Sequence, residues 1–315
     1  VHLVTGGAGF IGSNIVEALV QSGTAVRVLD NLANGKRENL AAFGGRIEWM
    51  EGDIRDLEVC KRAVNGVSVV LHLAALGSVP RSIADPATSN EVNVNGTLNV
   101  LIAARDAGVK RLVFSSSSSV YGENPTLPKH EGLLTIPISP YAVSKLAAES
   151  YTRVFSHVYG LETVSLRYFN VFGPRQRADS PYAAVIPLFM QAALERRPLP
   201  IDGDGLQSRD FTHVANVVRA NLLAATVPGV GGRTYNIACG ARYSLLDIVQ
   251  ALGEAAGRDL QCEHRPPRAG DVRHSQADIS AAEGELGYRV EVGFHEGLAR
   301  TWRAFVAAQE AGSAS

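Results

Sequence analysis

The chain reads as an α/β protein, a Rossmann-type doubly wound parallel sheet with a smaller C-terminal substrate domain. Three observations predict it. Short apolar runs alternate with helical periods through the first half, a glycine triplet sits where the first strand gives way to the first helix, and the second half is looser and rich in Pro and Gly. HLVTG is the first strand, and IGSNIVEALVQSG carries the first helical period. AVRVLD and RIEWMEGD supply two more strands, LEVCKRAVNG a helix and SVVLHLAA a fourth strand. The long helical stretch SNEVNVNGTLNVLIAARDAG leads to the strand RLVFSSS, and YAVSKLAAESYTRVFSHVYG leads to TVSLRYFN. Strand and helix repeated in this order require parallel neighbours joined by crossovers, hence a sheet covered on both faces. Further on, RPLPIDGDG and EHRPPRAGD break the pattern, and the strand-like RTYNIA returns to the sheet. The expected division is residues 1–172, with a return around 212–239, and a second unit made of 173–211 and 240–315.

With 315 residues, 46% of them hydrophobic and 19% charged, the chain can bury a large core. A net charge of −1 and a pI near 6.8 provide no basic field for nucleic acid or an anionic membrane. The longest apolar run, VSVVLHLAAL, falls well short of the ~20 residues of a membrane span. A strand pattern that starts at once leaves no room for a signal peptide. Cys60, Cys239 and Cys262 match no zinc or disulfide spacing, and the histidines form no HExxH pair. A reducing cytoplasm and no metal site are expected.

Two constellations carry chemistry. In TGGAGFIGS, Gly6, Gly9 and Gly12 fall where a strand ends and a helix begins. There glycine allows a tight turn and close approach to a pyrophosphate, which the helix N-terminus attracts. The next strand ends in Asp30, placed to accept hydrogen bonds from an adenosine ribose and to repel a 2′-phosphate, so NAD is expected over NADP. In SPYAVSK, Tyr141 and Lys145 stand four residues apart on one helical face, where an ammonium favours a phenolate. Lowering a phenol from about 10 to near 7 takes about 4 kcal/mol, within reach of Lys145 acting together with the positive ring of NAD.

TGGAGFIGS, GDIRD, LHLAALGSVPRS, NVNGT, SSSSSVYG, SPYAVSK and LRYFNVFGPRQ, in this order and spacing, resemble the extended short-chain dehydrogenase/reductase family, in particular its nucleotide-sugar 4-epimerases. The similarity continues through SRDFTHV and RAGDVRHSQAD. ALGSVPRS and GDVRHSQAD are most similar to the bacterial UDP-N-acetylglucosamine 4-epimerases. The resemblance implies cofactor contacts at Gly6, Gly9, Phe10, Ile11, Gly12, Asp30 and Asn31. It puts Asp53 and Ile54 at the adenine, and Leu73, Ala74, Ala75 and Asn93 along the cofactor. Counting back four from Tyr121, the family's catalytic serine falls on Ser117, beside Tyr141 and Lys145. Ser78 and Ser118 are expected near the sugar, and Asn170, Arg209, Arg268 and Asp271 on the uridine diphosphate.

The implied reaction is reversible C4 epimerisation of a UDP-hexose through a transient 4-keto sugar with bound NAD, with UDP-N-acetylglucosamine and UDP-N-acetylgalactosamine as the pair. In the UDP-glucose 4-epimerases a bulky Tyr stands at the position of Ser275, so the serine leaves room for an N-acetyl group. UDP-glucose and UDP-glucuronate remain open as substrates, because the catalytic residues do not distinguish them. A related dehydratase would carry Asp-Glu before Val-Tyr-Gly, where this chain has serines. A non-catalytic NAD sensor would have no use for Ser117, Tyr141 and Lys145. Surplus apolar residues on the helices at 87–107 and 141–159 imply a homodimer through a four-helix bundle, as is common in the family. Ser115, Ser116 and Ser119 are expected to serve the backbone at the strand end, and His72 to be a buried strand residue.

Overall fold

The computed structural model describes residues 1–179, 183–266 and 273–313. Through the first half the elements are β1 (His2–Thr5), α1 (Phe10–Gln21), β2 (Val26–Asp30), β3 (Ile47–Glu51), α2 (Leu57–Val64), β4 (Val69–His72), α3 (Val79–Ala84), α4 (Pro86–Asn90), α5 (Thr97–Asp106), β5 (Arg111–Ser117), α6 (Pro140–Tyr159) and β6 (Glu162–Tyr168). There follow β7 (Val171–Phe172), α7 (Val185–Leu194), β8 (Leu199–Asp202), β9 (Ser208–Arg209), β10 (Thr212–His213), α8 (Val214–Thr226), β11 (Arg233–Ile237), β12 (Tyr243–Ser244), α9 (Leu245–Ala256), β13 (Cys262–Arg265) and α10 (Phe294–Ser313).

Seven strands form one parallel sheet in the order β11-β6-β5-β4-β1-β2-β3. RTYNIA does return to it, as β11 beside β6. The strand order reverses between β1 and β4, which opens a crevice above their carboxyl ends. One face of the sheet is buried under α1 and α8, with Ile15, Leu19, Val217 and Ala220 in one core with Val28 and Val113. The other is covered by α2, α5 and α6 through Val59, Leu101 and Phe155. The smaller C-terminal region has its own core, in which Phe189 and Met190 of α7, Ile248 and Leu252 of α9 and Phe294 and Leu298 of α10 meet.

The helix expected at 87–107 is not a uniform α-helix. A π-helical turn, Glu91–Gly96, separates α4 from α5. Such a turn widens the ring and swings side chains that regular spacing would spread, and here it buries Asn93 at 1% exposure. The apolar surplus lies on α6 rather than α5. Val143, Tyr151, Val154 and Val158, spaced to share one face, are all more than 40% exposed, whereas Leu98 and Ile102 of α5 pack on the core.

α6 is anchored to the sheet by a buried ion pair. Arg167 of β6 donates from Nη2 to Glu149 Oε1 (2.6 Å) and from Nε to Oε2 (3.0 Å), and its guanidinium lies 4.8 Å from the Tyr121 ring centroid. Ser116 Oγ completes the group with a 2.6 Å bond to Glu149 Oε2. Removing one charge would strand the other away from water, so Arg167→Met should lower stability by about 3–5 kcal/mol. Ser116→Ala should cost about 1–3 kcal/mol. Urea unfolding of the two variants measures both, and equal small losses would show that the pair is hydrated.

Candidate active site

The first strand, the first helix and the end of β4 together make a cradle of glycines. Gly6 has φ +68°, and a Cβ there would lie 2.8 Å from Ala74 N. A Cβ on Gly12 would fall 2.2 Å from Gly6 O, so α1 can start this close to β1 only without side chains. Gly9 is the N-cap of α1 and supplies no side-chain acceptor, and Phe10 and Ile11 open the helix half-buried. The first-turn N–H groups thus face the crevice with no side-chain cap, as an anion site requires. A dinucleotide pyrophosphate fits these residues.

Asp30, buried at the end of β2, accepts from Ala8 N at 2.9 Å and Leu32 N at 2.8 Å. The carboxylate thus ties the glycine loop to the loop after β2, a role additional to the expected ribose contact. Burial raises its pKa above the ordinary 3.8 despite these two bonds. Asn31 reaches Asp53 with a 2.9 Å bond to Oδ2. Arg55, through its hydrogen bonds, holds the Asp53 carboxyl down at about 2. Ile54 is buried, with its carbonyl taken by Asn99 Nδ2 at 3.0 Å.

Leu73, Ala74 and Ala75 continue β4 into the crevice, half-buried. Thr5 Oγ1 accepts from the N–H groups of Leu73 and Ala74, both at 3.2 Å, so its own proton points to His72 Nδ1 at 2.7 Å. His72 Nε2–H then donates to Thr97 Oγ1 (3.0 Å), and the Thr97 hydroxyl to Asn93 O (2.7 Å). Burial, with Lys145 nearby, brings the His72 pKa down to about 3, so this imidazole is neutral and structural. Asn93 clamps the same loop, accepting from Leu76 N at 2.8 Å and donating to Leu76 O at 3.2 Å and Ser144 Oγ at 3.0 Å. Its amide positions the loop after β4.

The five serines run from the end of β5 into the turn after it, and the hydroxyls of Ser115, Ser116 and Ser119 bond side chains rather than the backbone expected of them. Ser115 Oγ bonds the Tyr168 hydroxyl at 3.0 Å, and Ser116 belongs to the ion pair described above. Ser119 Oγ donates to Ser117 Oγ at 2.9 Å, and Ser118 is half-buried at the start of the 3-10 turn Ser118–Tyr121. Ser117, at the strand's last position, hydrogen-bonds Tyr141. Burial lifts the Tyr141 phenol above its ordinary 10, and the Ser117 bond pulls it part of the way back. Lys145 lies on the same face of α6, but its ammonium donates to Ser115 O at 2.8 Å, 5.0 Å from the Phe114 ring centroid. Burial brings its pKa down to about 8. The ammonium thus rests on the strand carbonyl.

On the far side of the crevice, Ser78 caps α3, its Oγ accepting from Arg81 N at 3.2 Å. Asn170 has φ +34° and donates from Nδ2 to Asp210 O at 3.1 Å. Arg209 Nη1 reaches Ser208 O at 3.0 Å, and Ser275 N donates to Ser208 O at 3.0 Å, so β9 brings both residues together. Arg268 and Asp271 lie outside the described residues. Sequence reasoning missed Asp210, which is fully buried and accepts from Cys239 N (2.9 Å), Gly240 N (3.0 Å) and Ala277 N (3.2 Å). It fixes the segments that carry Asn170, Arg209 and Ser275. The available signal was an acid set between Arg209 and Phe211 in SRDFTHV. Among the described residues no three His, Cys, Asp or Glu side chains could share a metal ion, and no helix is long and apolar enough to cross a membrane.

The pattern of the NAD dependent epimerase/dehydratase family matches residues 2–238. A solved structure of the UDP-N-acetylglucosamine 4-epimerase from Methanobrevibacter ruminantium M1, in complex with UDP-N-acetylmuramic acid, is 40% identical, with TM-score 0.93 and 98% of each chain covered. The Thermus thermophilus UDP-glucose 4-epimerase complexed with NAD is also 40% identical, with TM-score 0.89, covering 98% of this chain and 99% of its own. A UDP-glucuronate 4-epimerase of Thermodesulfobacterium geofontis is 35% identical over 312 residues, covering 95% of this chain and 94% of its own.

Burial pushes the Asp210 carboxyl up to about 7, against the pull of its three N–H donors. Between the ordinary 3.8 and that value the folded chain holds a proton that the unfolded chain has released. This contribution to stability is therefore complete at low pH and lost as pH rises through about 7. Relative to Asp210→Asn, which cannot titrate, the wild type should lose up to about 1.4 kcal/mol per pH unit inside that window. Thermal unfolding of both proteins across the range measures the difference, and a constant gap would show Asp210 ionised throughout.

Proposed function

The chain belongs to the NAD dependent epimerase/dehydratase family, and we propose that this NAD-dependent UDP-sugar 4-epimerase interconverts UDP-N-acetylglucosamine and UDP-N-acetylgalactosamine. The observation that carries the choice of sugar is Ser275. Its backbone is tethered to Ser208 beside Arg209, and by the family pattern a large ring at this position would narrow the space for a C2 substituent that a hydroxymethyl group leaves open. Relatives named for UDP-glucose and UDP-glucuronate are of similar identity, and these two sugars are the alternatives that a substrate panel must separate.

Bound NAD supplies reversible hydride acceptance at the sugar carbon. The protein's part is to hold and move one proton and to grip one end of the substrate. We assign Tyr141 as the base that takes the 4-hydroxyl proton, with Ser117 hydrogen-bonded to the same oxygen. Burial alone keeps the phenol protonated, so the cations must stabilise its ionised form: Lys145, held at Ser115 O, and the nicotinamide ring. Asn170 and Arg209 hold the diphosphate, so the sugar can turn and present its other face. Serines where a dehydratase would need Asp-Glu leave elimination without an acid and a base. We read residues 1–172 and 212–239 as the cofactor unit and the rest as the sugar-nucleotide unit. The exposed stripe on α6 is our candidate for a dimer contact.

Tyr141→Phe should lower kcat at least about a hundredfold while NAD stays bound, and near-normal turnover would remove Tyr141 from the mechanism. Ser275→Tyr should suppress turnover of UDP-N-acetylglucosamine and spare that of UDP-glucose, shifting the ratio of kcat/KM values at least about tenfold. The products of both proteins with UDP-N-acetylglucosamine, UDP-glucose and UDP-glucuronate can be identified by NMR. A wild-type ratio in the Ser275→Tyr variant would overturn the assignment of the sugar.

A further inference from the structure

Two side chains outside the expected site meet across the crevice. The sheet places β1 between β2 and β4, so the loops after β2 and β4 flank the glycine loop on either side. Arg81, in α3 after β4, donates from Nη1 to Oδ1 of Asn34, in the loop after β2, at 2.9 Å. A contact between those loops spans the strand that ends in the glycine loop, where the pyrophosphate of a dinucleotide would lie against the start of α1. Asn34 is set firmly in place. A Cβ on its neighbour Gly35 would be 2.8 Å from Ala8 C, and Lys36 N donates to Ala8 O at 3.0 Å. A second arm arrives from the loop after β7, where Arg177 Nη1 reaches Asn34 O at 3.3 Å.

We propose that Arg81, held by Asn34, bridges the cofactor groove and retains the bound dinucleotide through each turnover. The glycine loop TGGAGFIGS contains no basic residue, so a guanidinium reaching across it would add a full positive charge to what the helix dipole and N–H groups offer a pyrophosphate. The chemistry explains why retention matters. A dehydrogenase must exchange its cofactor at every turnover, whereas an epimerase oxidises and reduces one sugar with the same cofactor molecule. Loss of the cofactor between the two halves strands the sugar oxidised. A bridge that seldom opens suits the second kind of enzyme and would hinder the first.

The test uses the full-length protein as purified, with bound NAD quantified after denaturation and its release followed into NAD-free buffer. Arg81→Ala should release NAD at least about tenfold faster, the effect of losing a charge-assisted bond. Asn34→Ala should also speed release, and the double variant should match Arg81→Ala alone, because Asn34 acts through Arg81. Unchanged release in Arg81→Ala, or effects that multiply in the double variant, would overturn the bridge. If Arg81→Ala does not fold, Asn34→Ala decides: faster release supports the proposal and wild-type release rejects it. None of these readouts depends on which sugar is turned over.

Discussion

A parallel strand can offer polar side chains to a ligand only beyond its end, because its length is buried on both faces, and the site is arranged by that constraint. The glycine loop follows β1, Asp30 closes β2, Leu73 to Ala75 follow β4 and Ser117 closes β5. All leave the sheet at one edge because all run the same way. The reversal of strand order between β1 and β4 then separates the flanking loops enough to admit a ligand. Without it, the glycines that bring α1 against β1 would face a closed surface.

Much of this was legible in the residues because local pattern and tertiary role agree. Glycines at 6, 9 and 12 are needed for backbone contact alone, so they stand out without knowledge of their neighbours. The strands and α6 were legible for the same reason, their apolar spacing being set by the core they enter. Side chains that act across long sequence distances were not. Asp210 meets Cys239, Gly240 and Ala277, and Arg81 meets Asn34, and nothing in the spacing of the chain marks those pairs. The resting partner of Lys145 was hidden in a related way. Helical spacing puts it on the face of Tyr141, but the nearest carbonyl, on β5, decides where its ammonium rests.

The serine run shows how identical residues take different roles from a period of two and an edge. Along β5, Ser115 and Ser116 point to opposite faces, one toward Tyr168 under α8 and the other toward the Glu149–Arg167 pair under α6. Only when the strand ends does a hydroxyl become available to the crevice, and that residue is Ser117. The polarity of the run therefore reflects two buried obligations and one exposed opportunity.

The hydrogen-bond chain from Thr5 through His72 and Thr97 to Asn93 has a direction fixed at every link, and Lys145 donates to a carbonyl that can give no proton in return. The chain from Thr5 to Asn93 cannot pass a proton along without breaking a bond that the loop after β4 depends on. On the β4 side the wall of the crevice is thus an insulator. In the proposed mechanism, a proton lifted from a sugar hydroxyl onto Tyr141 would have the Ser117 hydroxyl as its neighbour and the sugar oxygen as its way back. The reaction asks for that closed circuit, since the sugar leaves with as many protons as it brought.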